Sequence, residues 1–237
     1  MPTGDYNEDD VYEALCATGL NKEDLIYMPS ALFALGKMTD TPLREIPDRI
    51  YKSVRSVIGG EGTLTVPASF DDYARFGTPY DTRRSRVDPG KGALSQFVAD
   101  LPTSFRSYCP LNAVAGIGPD AQEVCHGWTG ASYGAGSAWD MFYERDATFL
   151  FLGIEPNQAF KFITTFSNVS ASLTYITNSI PFPTTKMVTA SICLSRPQCD
   201  ILMGDTEYGK MSRNSKRICV RRGLSVMPRS AAIRYTC

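Results

Sequence analysis

The stretch LIYMPSALFALG, residues 25–36, decides the fold of this chain. Residues 25–28 form an apolar run of the length expected for a short buried strand. Pro29 and Ser30 end that run, and residues 31–36 predict a short helix that begins directly after it. A strand that turns straight into a helix across small residues is typical of an α/β protein.

Helical and strand patterns alternate outward from this stretch. Asn7 is placed to cap a first helix, with acidic residues in its first turn. Apolar residues repeat on one helical face over residues 46–58, and a glycine pair follows. Further short apolar strands are predicted within residues 62–67, 112–118 and 149–154. The alternation predicts an α/β domain.

A long polar excursion interrupts the alternation at residues 71–90. It contains Asp71, Asp72, Asp81 and Asp88, together with the turn-forming pair at residues 89–90. Long ordered loops are often functional. We expect either that these carboxylates face a polyamine substrate or that the segment is a solvated loop.

Composition narrows the class of protein. No run of 18 apolar residues occurs, so no transmembrane helix and no membrane partner are expected. The first residues are polar and acidic, unlike a signal peptide, which predicts a cytoplasmic location. The seven cysteines include no CxxC pair, and the chain has one histidine, so we predict free thiols and no metal site.

The charge distribution separates the tail from the rest. Residues 164–237 carry ten Lys/Arg and three Asp/Glu, whereas residues 1–163 carry 14 and 22. A basic segment can contact nucleic acid, but a solvated face is the commoner reason for such clusters, so we expect no nucleic-acid partner. Because periodic patterning also stops near residue 163, the predicted division is a domain over 1–163 and an atypical, poorly structured tail over 164–237.

Five blocks of residues 25–140, in order, resemble the aminoglycoside 3-N-acetyltransferase (antibiotic N-acetyltransferase) family. Residues 25–36 are similar to its strand and SSLSxxG turn, and residues 59–67 to its GPEGTLVMPT block. Residues 92–95 resemble the start of its GALSE helix, and residues 106–118 its RSxHPxxSVAAIG segment. Residues 132–140 are similar to its FGxGSPxxxL loop. The resemblance spans residues 1 to about 163.

The resemblance implies a fold, a reaction and a set of residues. The fold is a central mixed sheet with flanking helices, with an incomplete or disordered C-terminal part. The reaction is acetyl transfer from acetyl-coenzyme A, a co-substrate, to an amine of an aminoglycoside or amino sugar, as in antibiotic resistance. The cofactor-binding residues that it implies are Pro29, Ser30, Ala31, Leu32, Gly36, Ser69, Gly134, Gly136 and Ser137.

The chain departs from the family where the resemblance places the catalytic base. Thr164 and Ser167 stand where the family has a histidine and a glutamate, so no intact catalytic set is predicted. His126 is a weak substitute candidate, and a structural hydrogen-bonding role is the alternative. Cys109 stands where many relatives have histidine, and we expect a buried thiol there because no charged partner is visible.

A shift of reading frame near Ile163 would explain the departures together. With codons chosen for residues 164–180 and one added base, TTFSNVSASLTYITNSI becomes HHLLERLGVAYVHNKLH, which restores a family-like histidine helix. The alternatives to an active acetyltransferase are therefore a truncated or frame-shifted member that binds coenzyme A at most, and an amino-sugar acetyltransferase of surface polysaccharide synthesis. The nucleotide sequence around codon 163 decides whether the reading frame is shifted. The oligomeric state stays open.

Overall fold

The computed structural model describes residues 4–127, 132 and 136–154, and the backbone of residues 186–193 and 219–226. The helices are α1 (Glu8–Ala17), α2 (Ile46–Ile58), α3 (Asp72–Phe76), α4 (Ala93–Asp100), α5 (Ala121–His126) and α6 (Ala138–Glu144). The strands are β1 (Leu25–Tyr27), β2 (Thr63–Pro67), β3 (Phe105–Arg106), β4 (Val114–Ile117), β5 (Thr148–Leu152), β6 (Lys186–Cys193) and β7 (Cys219–Val226). Short 3₁₀ helices cover Leu32–Leu35, Leu43–Glu45 and Pro89–Lys91.

One sheet joins these seven strands in the order β3-β4-β2-β1-β5-β6-β7. The strands β2, β1, β5 and β6 run parallel to one another, and the pairs β2–β4, β3–β4 and β6–β7 are antiparallel. The prediction of a central mixed sheet is confirmed. Because β1 lies between β2 and β5, the chain leaves β1 toward one side of the sheet and returns on the other, which opens a crevice at the carboxyl ends of these strands.

Alternation along β1 divides the apolar core between the two faces of the sheet. Ile26 and Met28 pack on one face with α1, α2 and α4, while Leu25 and Tyr27 pack on the other with α5 and α6. The Tyr27 ring meets Trp139 of α6 edge-on at 5.0 Å. The predicted flanking helices are therefore present on both faces, and none of the described helices is long and apolar enough to cross a membrane.

Local sequence explains the ends of the helices. Asn7 accepts a hydrogen bond from the Asp10 N–H (2.9 Å), and the Asp10 carboxylate accepts one from the Asn7 N–H (2.8 Å). This reciprocal capping box contributes about 1 kcal/mol to α1. At the C-terminus of α2, Gly59 ends the helix and donates its N–H to the Arg55 carbonyl. Both helix boundaries agree with the sequence prediction to within two residues.

Two segments of the basic tail form strands, β6 and β7, which the sequence did not predict. β6 extends the sheet beyond β5, and β7 pairs with β6 over eight residues. Thus part of the basic tail forms backbone hydrogen bonds to the sheet. The predicted boundary at residue 163 lies outside the described residues, as does most of the tail that was expected to be poorly structured, so the domain division stays a prediction.

Candidate functional site

The turn after β1 is fixed against β5. Leu152 donates its N–H to the Pro29 carbonyl (3.1 Å), and Ala31 donates its N–H to the Leu152 carbonyl (2.9 Å). These bonds place Ser30 beside Leu152, and the 3₁₀ helix Leu32–Leu35 follows at once. The small residues of the turn therefore lie at the carboxyl ends of β1 and β5, the edge at which open α/β sheets usually bind ligands.

Gly36 closes this turn in a conformation that favours glycine. Its φ is +89°, and a Cβ atom there would lie 2.6 Å from a carboxylate oxygen of Asp5. The same Asp5 carboxylate accepts a hydrogen bond from the Lys37 N–H at 2.8 Å. Gly36 thus allows the N-terminal segment to pack against the end of the turn, and its assignment to the cofactor stays a prediction.

Two buried hydroxyls at the carboxyl edge of β1 and β2 have no hydrogen-bond partner among the described residues. Ser30 is 7% exposed and Ser69 is 3% exposed, and each Oγ is unpaired there. An unsatisfied buried hydroxyl costs about 1–3 kcal/mol. A bound water, an ion or a ligand can supply the missing partner of such groups.

The acidic excursion builds one wall of an open cavity of about 720 Å³. Asp71, Asp72 and Asp88 line it, together with Gly92 and Ala93 at the start of α4. Asp71 and Asp88 each lie 3.8 Å from the Arg75 guanidinium, which partly offsets their negative charge. Three of the four aspartates border this open cavity, while residues 72–79 are exposed, so both expectations for the excursion stay open.

Asp81 is the exception among the four. Its carboxylate accepts hydrogen bonds from the N–H groups of Arg83 and Arg84, which lower its pKa below the ordinary range. Asp81 therefore shapes the tip of the excursion, and it is absent from the lining of the cavity.

Gly92 connects the cavity to the turn after β1. Its φ is +90°, and a Cβ atom there would lie 2.8 Å from the Ser30 carbonyl oxygen and 3.9 Å from Ser30 Oγ. Only glycine allows this approach without strain. The acid-lined cavity and the unpaired Ser30 hydroxyl are therefore neighbours, although the sequence separates them by about 60 residues.

His126 is not among the residues that line this cavity. It ends α5, stacks on the Tyr108 ring at 4.7 Å and meets the Phe105 ring edge-on at 5.2 Å. Partial burial and then the charge of Arg83 lower the pKa of His126, so its neutral form is favoured. The neutral imidazole could accept a proton, but the structure does not bring it to the wall that carries the aspartates.

Cys109 also belongs to the His126 side. Its Sγ lies 2.8 Å from the Ser132 hydroxyl, and the thiol is half-buried, so the expectation of a buried thiol was wrong in degree. Cys109, His126 and Ser137 border a pocket of about 10 Å³. This volume holds a single water molecule, which is too small for a substrate.

Gly136 and Ser137 already have partners within the chain. The Gly136 N–H donates to the Asp140 carboxylate at 2.7 Å, and the Asp140 N–H donates to Ser137 Oγ at 3.2 Å. A cofactor phosphate at this loop would have to compete with the Asp140 carboxylate. The assignment of these two residues to the cofactor stays a prediction, and Gly134, Thr164 and Ser167 lie outside the described residues.

Arg106 is a buried cation that the sequence analysis did not single out. It is 4% exposed, and its guanidinium donates to the backbone carbonyls of Ala68 and Ser85. Burial lowers its pKa from the ordinary value, yet an arginine stays charged in proteins. Its acceptors are 38 and 21 residues away in sequence, so no local pattern marks the interaction.

Comparisons by sequence and by structure both match this chain to aminoglycoside acetyltransferases. A model of the aminoglycoside 3-N-acetyltransferase family matches residues 29–162. Aminoglycoside N(3)-acetyltransferase III of Serratia marcescens is 26% identical over 151 residues, which cover 57% of this chain and 54% of that protein. The chain therefore spans about half the length of this curated relative.

Two solved structures show the same fold. AAC-IIIb in a binary complex with CoASH is 24% identical, with a TM-score of 0.51 over 59% of this chain and 56% of that chain. AAC-VIa bound to sisomicin is 23% identical, with a TM-score of 0.55 over 63% of this chain and 60% of that chain.

Proposed function

The chain belongs to the aminoglycoside 3-N-acetyltransferase family, and from this premise we propose that it transfers an acetyl group from acetyl-coenzyme A to an amine of an aminoglycoside or amino sugar. The observation that carries the proposal is the contact of Gly92 with Ser30, which sets an acid-lined cavity beside a turn with unused hydrogen-bond capacity. Transfer needs two such neighbouring sites, one for the acetyl donor and one for the amine.

The turn after β1 fits the donor. Ser30 Oγ and Ser69 Oγ are buried without partners among the described residues, and they can donate to an anionic or carbonyl oxygen. The backbone N–H of Leu32, at the start of the short helical turn, can add to such an anion site, whereas the Ala31 N–H already donates to the Leu152 carbonyl. When bound, acetyl-coenzyme A supplies the activated acetyl group. AAC-IIIb, the relative with CoASH bound, has the same fold, which supports this assignment.

The cavity fits a polyamine acceptor. Asp71, Asp72 and Asp88 bring three carboxylates to its lining against two cations, Arg75 and Arg86. Ammonium groups of an acceptor would be attracted there, and opposite charges also raise the rate of encounter. AAC-VIa is a relative that binds sisomicin, an aminoglycoside, which supports the same class of acceptor.

The proposed site lacks an evident base among the described residues that line the cavity. An ammonium must lose a proton before it attacks, and a positioned base normally accepts it. Among the described residues that line the cavity, none is a histidine. This observation favours a second candidate function, in which the chain binds coenzyme A and an amine without transferring acetyl.

Calorimetry and turnover separate the two functions. We expect coenzyme A to bind the wild-type chain, and Ser30→Ala together with Ser69→Ala to weaken binding about tenfold because hydrogen bonds to charged oxygens are lost. Ser56→Ala is the matched control, since Ser56 lies on α2 and its hydroxyl bonds within the helix. Release of free thiol with a panel of aminoglycosides and amino sugars then measures transfer.

Each outcome assigns the function. Binding with thiol release supports acetyl transfer, and binding without release supports the non-transferring candidate. If coenzyme A does not bind, both candidates fail for this chain.

A further inference from the structure

A single buried guanidinium joins Ala68, just before the acidic excursion, to Ser85 in its second half. Arg106 donates from Nε (3.0 Å) and Nη2 (2.6 Å) to the Ala68 carbonyl, where the excursion leaves β2. Its Nη1 donates to the Ser85 carbonyl, in the second half of the excursion. No carboxylate lies within ion-pair distance of Arg106 in the described part of the chain. The cation is therefore held by backbone carbonyls of the excursion.

The middle of the excursion rests on the same group. The Tyr80 ring lies 5.1 Å from the guanidinium carbon, in cation–π contact. The Tyr80 hydroxyl donates to the Ser107 carbonyl at 2.7 Å, and its ring stacks on Phe70 at 5.9 Å. The residue just before the excursion, its middle and its second half thus meet at Arg106.

The residues held in this way carry the cavity wall. Ala68 precedes Ser69 and Phe70, and Ser85 precedes Arg86 and the buried Val87 that leads to Asp88. We propose that Arg106 is a positioning residue for the acceptor site, holding Asp71 and Asp72 at the separation from Asp88 that an acceptor amine requires. This inference rests on the proposed function, because it assigns the acceptor to that cavity.

The chemistry of the side chain makes the proposal specific to arginine. A planar fork donates to two carbonyls in fixed directions and stacks on an aromatic ring, whereas a lysine ammonium is a single flexible point charge. Arg106→Lys keeps the charge and loses the fork. Because small displacements of substrate-positioning groups have large effects on rate, the acceptor should be bound less well while the donor turn after β1 is unaffected.

The chain offers a matched control at the other edge of the sheet. Arg55 also bridges two backbone carbonyls, donating to Gly62 (2.6 Å) and Gly60 (3.3 Å) at the amino end of β2. Arg55→Lys is the same chemical change in the same kind of contact, away from the cavity. It controls for the general cost of replacing a carbonyl-bridging arginine.

The first test is a steady-state comparison with sisomicin as the acceptor. For Arg106→Lys we expect the KM for sisomicin to rise about tenfold and the KM for acetyl-coenzyme A to rise clearly less, because only Ser69 of the donor site follows a carbonyl that Arg106 holds. Arg55→Lys should leave both KM values near those of the wild type. Equal rises in both KM values of Arg106→Lys, or a rise in Arg55→Lys as large, overturn the proposal.

The second test does not depend on turnover. Arg83 and Arg84 are exposed at the tip of the excursion and are trypsin sites. We expect faster cleavage there in Arg106→Lys than in the wild type or Arg55→Lys, with Tyr80→Phe between them as a milder variant should Arg106→Lys fail to fold. Unchanged cleavage in every variant that folds overturns the proposal.

Failure of the proposed function is distinguishable from failure of this inference. If the wild-type chain turns over no acceptor, acetyl transfer is excluded, and calorimetry with sisomicin replaces the KM. Weaker sisomicin binding together with faster cleavage in Arg106→Lys then supports the positioning role. Unchanged affinity, or an absence of sisomicin binding to the wild type, overturns it.

Discussion

At the amino end of β2 the buried Thr63 is hydrogen-bonded within the chain, while at the carboxyl ends of β1 and β2 two buried hydroxyls have no partner among the described residues. Thr63, fully buried at the start of β2, accepts a hydrogen bond from the Asp120 N–H at 3.0 Å, and its own N–H donates to the Asp24 carbonyl. Ser30 and Ser69, at the carboxyl ends of β1 and β2, leave Oγ unpaired among the described residues. The difference indicates that one edge serves stability and the other retains hydrogen-bond capacity for a ligand.

Glycine shows the same division between the edges. Gly92, at the carboxyl edge, has a φ of +90° and touches the Ser30 carbonyl, whereas Gly60, at the amino edge, has open space around its missing Cβ. A close approach of two backbones is thus built where the proposed sites meet. Adding a Cβ at Gly92 should therefore cost far more than adding one at Gly60.

Gly92→Ala should lower the free energy of unfolding by about 2–3 kcal/mol, because the new Cβ meets a backbone carbonyl and the positive φ is strained. It should also abolish any acetyl transfer, since the wall between the two sites must move. Urea unfolding and thiol release measure the two effects. Gly60→Ala is the control and should stay within about 0.5 kcal/mol of the wild type. Equal losses in both variants would break the comparison of the edges.

Removing one hydroxyl at each edge gives the next largest effect. Thr63→Val should destabilise the fold by about 1–2 kcal/mol, because the Asp120 N–H loses its acceptor. Ser69→Ala should leave stability unchanged or raise it by about 1 kcal/mol, because an unsatisfied buried group is removed. Chemical unfolding of both variants checks the signs. A Ser69→Ala variant as unstable as Thr63→Val would show that Ser69 Oγ is paired, and the contrast would be lost.

Removing one carboxylate from the cavity lining should have a smaller effect than the preceding substitutions, and it should act on acceptor binding. Asp72→Asn should raise the KM for an aminoglycoside about twofold to fivefold at low salt, because one exposed carboxylate attracts an ammonium by less than about 1 kcal/mol. Added salt should reduce the difference. Asp81→Asn is the matched control, since Asn can still accept from the turn and Asp81 is not part of the cavity lining. If both variants raise the KM equally, the cavity is not the acceptor site.

The pH dependence of stability should show the smallest effect. Burial and Arg83 lower the pKa of His126 in the folded state, so the unfolded state binds more protons as the pH falls below its ordinary pKa of 6.5. Stability should therefore fall as the pH drops below about 6.5, and His126→Asn should make that fall shallower. Thermal unfolding across this range measures it. A steeper fall in His126→Asn would contradict the sign of the shift.

Local patterns predicted the elements and missed the contacts between them. The Asn7 cap, the periodic face of α2 and the apolar run of β1 were recognisable because their partners lie within a few residues. The two carbonyls held by Arg106 and the approach of Gly92 to Ser30 join residues that are between 21 and 62 positions apart. β6 and β7 were also missed, since their pairing with the sheet is a long-range property.

The sequence by itself determined the α/β class, the family and the turn after β1, because strand and helix periodicity and motif order are local properties of the chain. Only the tertiary structure decided which polar groups remain unpaired, since burial and pairing depend on neighbours from distant segments. It placed Asp71, Asp72 and Asp88 at the cavity, and it left Asp81 and His126 out of the cavity lining. The turn that opens the sequence, residues 25–36, became a candidate site only when Gly92 was folded against it.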